Sequence, residues 1–344
     1  LTILQLDAYD LQSFYIAVQA GIEHINPESN DPIWFRGQEV WNYKLLPSLL
    51  RTPPSYNHEE AHLAEEIGTQ QFAARAYHVI DSKPNTNIEW QEIMQHYEVA
   101  TRLLDWSENV NVALMFALLP FISDISDDRY KFKRLKKTIS PTIWLLNPCK
   151  LNETVFEYMN STSTVFFDAL SEFGEVDLKK QQLLIQRLSS TDGKNKYLSL
   201  QKNRISSIVS LSMLENLRST AADRLYDLLN IDEFNLFYYL ILRVYSDGIK
   251  LSSPMPPIAM MHPYHSNRIA MQHGVFTIFP FPDTQARVKA LDDFSDCHEA
   301  LCKIRLVNPK EIARQMKNVG NERSNIYPDL FEYAKSVDLK LRDD

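Results

Sequence analysis

Ile33-Trp34-Phe35-Arg36-Gly37-Gln38 is a short aromatic and β-branched run, led in by Pro32, with one arginine in the middle of what otherwise reads as a buried strand. An unpaired guanidinium inside such a strand is costly, so Arg36 requires an acidic partner or an anionic ligand. The same conflict recurs further along. Arg102 and Asp105 flank Leu103-Leu104, and Arg268 and Gln272 flank Ile269-Ala270-Met271. Around these points the chain mixes strands and helices. Thr142 to Leu146 reads as a buried strand closed by Asn147-Pro148, Gly274 to Phe279 as another, and Cys302 to Val307 as a third. Helical spacing places Leu11, Phe14, Tyr15, Val18 and Ile22 on one face behind a cap at Asp10. Further helices are expected over about His58 to Ile80, through Trp90, Ile93 and Met94, over Val112 to Leu119 ending at Pro120, and over Pro309 to Met316 and Ser324 to Ser336. The leucine-, isoleucine- and lysine-rich stretch 176–250 reads as a helical insertion, with 1–175 and 251–344 forming one domain around it. No regular βαβ rhythm runs through the chain. The class expected is therefore α+β, a small mixed sheet with flanking helices.

Composition removes several functions. With only 8 glycines in 344 residues, against a usual share of about 7%, neither a GxGxxG fingerprint nor a GxxxxGK[ST] loop can be written anywhere. A nucleotide would have to be held without a glycine cradle. The net charge of −8 disfavours indiscriminate binding to nucleic acid or anionic membrane. Cys149, Cys297 and Cys302 lack CxxC spacing, so they offer neither a disulfide framework nor a thiolate metal site, which fits a reduced, cytoplasmic protein. Apolar runs fall short of the roughly 20 residues that span a bilayer, and Asp7 and Asp10 interrupt the start of the chain where a signal peptide would be apolar.

Three constellations have chemical readings. His58-Glu59-Glu60-Ala61-His62 fits HExxH, which would place two imidazoles on one helical face for zinc, with Glu59 to deprotonate a bound water. Asn57, Glu60, Glu65 and Glu66 instead make this a solvated helix start, whose acidic residues favour the N-terminal dipole, so no metal is expected. His262, His265 and His273 are too loosely spaced for a ligand set. Arg129 to Lys137 interleaves six basic residues with aromatics and would suit nucleic acid, but Asp124, Asp127 and Asp128 offset it and a solvated connector is favoured. The embedded charges carry two readings of equal weight. They form either a binding site or a buried bridge, with Arg36 or Arg102 paired to Asp105.

At these residues the chain resembles the FRG-domain family, named for its Phe-Arg-Gly segment. The resemblance runs through Trp34 to Gln38, Leu46-Pro47-Ser48-Leu49-Leu50-Arg51 and Met94-Gln95-His96-Tyr97. It continues through Thr101 to Asn109 with Ala113-Leu114-Met115-Phe116-Ala117, then Arg268 to Thr277 and Tyr327 to Leu330. Glu98 stands where the family usually has glycine, Ala100 where it has proline, and Ser107 where threonine is commoner. A weaker resemblance is to arginine-type ADP-ribosyltransferases, which have a Tyr-Arg-Gly-like strand, then a Ser-Thr-Ser-like strand leading into an Ala-Leu-x-Phe-Ala-like helix, then a glutamate-bearing strand. Phe35-Arg36-Gly37, Trp106-Ser107 with the Ala113 helix, and the Gln272 segment fall in that order.

This second resemblance implies NAD as substrate. ADP-ribose would pass to a macromolecular acceptor that the chain does not identify, or NAD would be hydrolysed, in a bacterial toxin or defence setting. It implies Arg36, Arg102 and Arg268 for the phosphates, Ser107 for the nicotinamide ribose, and Trp106 or Tyr97 for the nicotinamide ring. Gln272 occupies the glutamate's place and cannot act as a base, which leaves Asp105 or Glu108 to supply a negative charge. The alternatives are a non-catalytic interaction module built on a buried Arg–Asp network and, third, a metalloprotease through the HExxH segment.

Overall fold

The computed structural model describes residues 2–27, 30–51, 57–80, 83–84, 86–122, 140–161, 209–210, 241–261 and 267–321. Its strands are β1 Leu4–Ala8, β2 Trp34–Gln38, β3 Leu103–Ser107, β4 Thr142–Leu146, β5 Val209–Ser210, β6 Ile258–Met261, β7 Gly274–Ile278 and β8 Leu301–Leu306. Its helices are α1 Leu11–Ile25, α2 His58–Ala76, α3 Asn87–His96, α4 Val110–Ile122, α5 Pro148–Ser161, α6 Asn267–Met271 and α7 Pro309–Asn318. The expected stretch Arg129 to Lys137, the helix over Ser324 to Ser336, His262, His265, the Tyr327 to Leu330 segment and most of 176–250 lie outside the described residues.

The class is α+β. One mixed sheet runs in the order β1-β8-β4-β2-β3-β7-β6-β5, parallel at its two ends and antiparallel between them. β5, within 176–250, forms one edge of this sheet. Helices cover both faces, and β4 shows why its five residues are all buried. Ile143 and Leu145 enter a core with Phe14 and Val18 of α1, Leu114 and Leu118 of α4, and Ile312 and Met316 of α7. Trp144 and Leu146 enter a second core with Leu151 and Val155 of α5 and Met260, Phe276 and Ile278 of β6 and β7. The period-2 alternation of a strand thus feeds two apolar layers at once.

Local chemistry fixes the helix starts. Asp10 accepts from Ser13 N at 2.7 Å, Asn57 from Glu60 N at 2.9 Å and Thr86 from Glu89 N at 3.2 Å, each closing a capping box. Three expectations shift. β1 was not anticipated: five residues alternating Leu4-Gln5-Leu6-Asp7 pair parallel with β8, held by Asp7 against Arg305 at 2.7 Å. α4 passes through Pro120 to Ile122, because a proline in the last turn removes a single rung. α2 stops at Ala76 rather than Ile80.

The sheet is pinched in the middle. β2 meets β4 through five residue pairs and β3 meets β7 through five, but β2 meets β3 only at Phe35↔Ser107. Beyond that point the two strands part, and α4, which follows β3 directly, lies against β2. The contact needs glycine. A methyl group on Gly37 would fall inside contact distance of the Ala113 carbonyl oxygen and 2.7 Å from Ala117 N, and neither backbone atom can turn aside. Gly37→Ala is therefore expected to lower the free energy of unfolding by ~3 kcal/mol or more, read from denaturant midpoints at unchanged slope.

Candidate functional site

The parting of β2 from β3 opens a cleft of about 270 Å³. Arg36 and Gly37 of β2, Asp105, Trp106 and Ser107 of β3, and Gln272 and Gly274 at the start of β7 line it. Glu92, Gln95 and His96 of α3, Glu98 just after it, and Phe116 of α4 also line it. The segments that carry Arg36, Ser107 and Gln272 thus lie on or beside three adjacent strands, β2, β3 and β7.

Arg36 sits in the cleft wall with 16% of its side chain exposed. Its Nη1 donates to the Asp105 carbonyl oxygen at 2.5 Å and lies 3.7 Å from the Asp105 Oδ2, while its buried Nε has no hydrogen-bond partner among the described residues. Asp105 is half exposed, so the ion pair is loose and open to solvent. Burial pushes Arg36 down to about 10; the Asp105 charge opposes the shift and the Arg51 charge adds to it. Arg51 is itself lowered by burial, again against Asp105.

Asp105 is also held from α3. Buried Thr101 donates from Oγ1 to Gln95 Oε1 at 2.5 Å, which turns the amide so that Gln95 Nε2 donates to Asp105 Oδ2 at 2.9 Å. Ser107 is committed to the backbone. Its hydroxyl donates to Gln272 O at 2.7 Å and accepts from Asn109 N at 3.0 Å, and Glu108 N donates to His273 O at 3.0 Å. The hydroxyl's single proton therefore positions the Gln272 turn against the end of β3.

Of the residues expected at a site, Arg36, Asp105, Trp106, Ser107 and Gln272 come together in the cleft. Trp106 is buried, with Nε1 donating to Thr277 Oγ1 at 3.1 Å. Tyr97 and Arg102 do not join them. Tyr97 follows α3 and is 62% exposed, its ring 6.2 Å from Phe72 and 4.8 Å from His96. Arg102 is fully buried, with each of its side-chain nitrogens held by protein: Glu65 takes Nε at 2.6 Å and Nη2 at 3.0 Å, Phe279 O takes Nη1 at 2.5 Å, and Tyr245 O takes Nη2 at 3.1 Å. Its guanidinium also lies 3.8 Å over the Phe281 ring. The buried bridge exists, but its acid is Glu65. The reading of Glu65 as part of a solvated surface is corrected, because it shares the inward face of α2 with Ala61 and Thr69. Arg268 is on α6, its side chain outside the described part of the structure. Glu108 is exposed.

The HExxH segment opens α2, with His58 Nε2 2.8 Å from Gly248 O and Glu59 paired to Lys250. No group of residues suited to a metal is present among the described residues. All three cysteines are buried, and burial pushes Cys297 and Cys302 up to about 12, which makes them poor nucleophiles at neutral pH. No described helix is long and apolar enough to cross a membrane. Gln95 and Glu92 were missed as site residues. Gln95 lies inside a segment that carries the family resemblance, but its role depends on partners brought close only by folding.

The FRG domain family model matches residues 31–121, a stretch that runs from β2 through most of α4. Arg36, Arg51, Gln95 and Asp105 all fall inside that stretch, whereas Gln272 is supplied from beyond it. No curated protein and no solved structure matches the chain.

The departure from the family pattern at Glu98 has a structural counterpart. Glu98 adopts φ 63°, the left-handed region in which glycine carries no Cβ penalty. Relief of a penalty of roughly 1–2 kcal/mol is opposed by the extra chain entropy that a glycine loses on folding and by loss of the interactions the Glu98 side chain makes. Glu98→Gly should therefore change stability by less than about 1 kcal/mol, measured by chemical denaturation.

Proposed function

We propose that this FRG domain binds an anionic nucleotide, NAD or a close relative, in the cleft between β2 and β3. On this reading the bond between nicotinamide and ribose breaks beside Asp105, and ADP-ribose passes to a macromolecule or to water. The observation that carries the proposal is Arg36. Its guanidinium lines an open cleft with a buried Nε that has no acceptor among the described residues, and its ion pair with Asp105 is long and half in solvent. Arg102, a few residues before Asp105 in sequence, is the contrast: a purely structural arginine has every nitrogen matched by a protein oxygen. The donors left on Arg36 suit phosphate oxygens.

The adjacency of β2, β3 and β7 supports the same reading, because it gathers the three motif segments around one cavity. The cavity lies just below the usual range for ligand pockets, roughly 300–1,000 Å³, and its open side leaves the rest of a dinucleotide room to extend. In the reaction, nicotinamide departs with the bonding electron pair and positive charge gathers on the ribose. A carboxylate there contributes more to the transition state than to ground-state binding. Asp105 is placed for that role, half exposed and oriented by Gln95. Gln272 is neutral and the Ser107 proton is already engaged, which favours, as a second reading, a module that binds the nucleotide and leaves it intact.

Calorimetry and product analysis separate the two. Arg36→Ala should weaken NAD binding by about 1.5–3 kcal/mol through loss of charge-assisted hydrogen bonds, with folding verified by its melting transition. Asp105→Asn should lower nicotinamide release, followed chromatographically with and without cell lysate, by on the order of a hundredfold or more, while NAD affinity stays within a few fold; Glu108→Gln should do little. Binding without release under any condition selects the second reading. Absence of a calorimetric signal with NAD, ADP-ribose and nicotinamide removes both.

A further inference from the structure

We infer that Thr101, which lies outside the cleft, is a positioning residue for its chemistry: acting through Gln95, its buried hydroxyl fixes how the Asp105 carboxylate is turned. This rests on the reading of Asp105 as the carboxylate beside the breaking bond. Thr101 is fully buried and all its polar atoms are engaged. Its N donates to Ser48 Oγ at 3.3 Å and its O accepts from Leu49 N at 3.2 Å, both in the 3₁₀ turn Ser48–Arg51. Its Oγ1 accepts from the N of Leu103, the first residue of β3, at 3.2 Å. The hydroxyl is thus anchored to backbone before it meets a side chain.

From that anchor the hydrogen bonds can run in only one direction. A backbone N–H only donates, so Thr101 Oγ1 accepts from Leu103 and its single proton goes to Gln95, at 2.5 Å. The atom of Gln95 that receives it is therefore the amide oxygen, which leaves Nε2 on the other side, 2.9 Å from Asp105 Oδ2. The closeness of Thr101 and Gln95, six positions apart, comes from the turn after α3, where Glu98 N donates to Gln95 O at 3.0 Å and Val99 N to Met94 O at 2.9 Å. Asp105 needs such an anchor. Its side chain is half exposed, its ion pair with Arg36 is long, and rotation of a carboxylate about its last torsion is soft. A carboxylate that drifts by about 1 Å from the developing charge loses on the order of a hundredfold in rate.

Three variants of the full chain test the chain of bonds. Thr101→Val keeps the shape and removes the hydroxyl, Thr101→Ser keeps the hydroxyl, and Gln95→Glu still accepts from Thr101 but turns an oxygen toward Asp105. Two readouts are taken, steady-state nicotinamide release from NAD and the NMR signal of the Gln95 Nε2 protons in deuterated protein. Thr101→Val should lower kcat about tenfold or more with KM within about twofold, and move the Gln95 signal to that of a solvent-exposed glutamine. Thr101→Ser should keep both readouts within about twofold of the unmodified protein, and Gln95→Glu should lose kcat at least as strongly as Thr101→Val. A residue that only held the fold would lower the melting temperature without separating kcat from KM. An unchanged kcat or an unmoved Gln95 signal in Thr101→Val, or a loss that Thr101→Ser does not restore, overturns the inference; if Thr101→Val does not fold, an unchanged kcat in Gln95→Glu does so. Release that persists in these variants leaves the proposed reaction standing. Absence of release from the unmodified protein under any condition removes that reaction and this role with it, even where the Gln95 signal responds to Thr101→Val.

Discussion

The single backbone pairing between Phe35 and Ser107 is the constraint on which the rest of the molecule turns. Were β2 and β3 paired along their length, the sheet would be continuous and nothing could enter between them. The strands instead separate after one pair because β2 is drawn against α4, where Gly37 lets two backbones approach more closely than any side chain would permit. The Phe-Arg-Gly triplet therefore has a division of labour. Phe35 enters the core with α4, Gly37 permits the approach, and Arg36 between them faces the space that the approach creates.

Arg36 and Arg102 show how one residue type takes opposite roles in similar apolar settings. Both interrupt runs of large apolar residues. Arg102 is closed off by two carboxylate oxygens, two carbonyls and an aromatic face, an arrangement in which removing one partner strands a buried charge at a cost of about 3–5 kcal/mol. It fixes the entry to β3 against α2. Arg36 has less than half of that satisfaction and more access to solvent, so the same chemistry that makes Arg102 a rivet leaves Arg36 receptive.

Much of this fold was legible from local pattern. β4, β7 and β8 stand out as apolar runs, and α1 and α7 as periodic helices, because their burial follows directly from the residues they contain. β1 was not legible: an edge strand half in water needs only Leu4 and Leu6, too short a signal to separate from a loop. At the site, Arg36, Asp105, Ser107 and Gln272 were readable as polar residues in apolar company. Glu65 as partner of Arg102 and Gln95 as the arm on Asp105 were not. Each depends on a tertiary approach across 37 or 10 positions, for which sequence spacing gives no measure.

The position of β8 governs the order in which this chain can assemble. β8 lies between β1 and β4, pairing Leu4 with Cys302 and Leu145 with Cys302 from its two sides. During synthesis both flanking strands leave the ribosome long before their shared partner exists. β4, Thr-Ile-Trp-Leu-Leu, waits with an unsatisfied backbone edge and apolar residues on both faces, the features that promote intermolecular strand pairing. Loop closure over nearly the whole chain then delays the final insertion. The half-sheet bearing β2 should be the slow, aggregation-sensitive half of folding, so recombinant yield will depend on growth temperature and chaperone supply more than native stability alone would suggest.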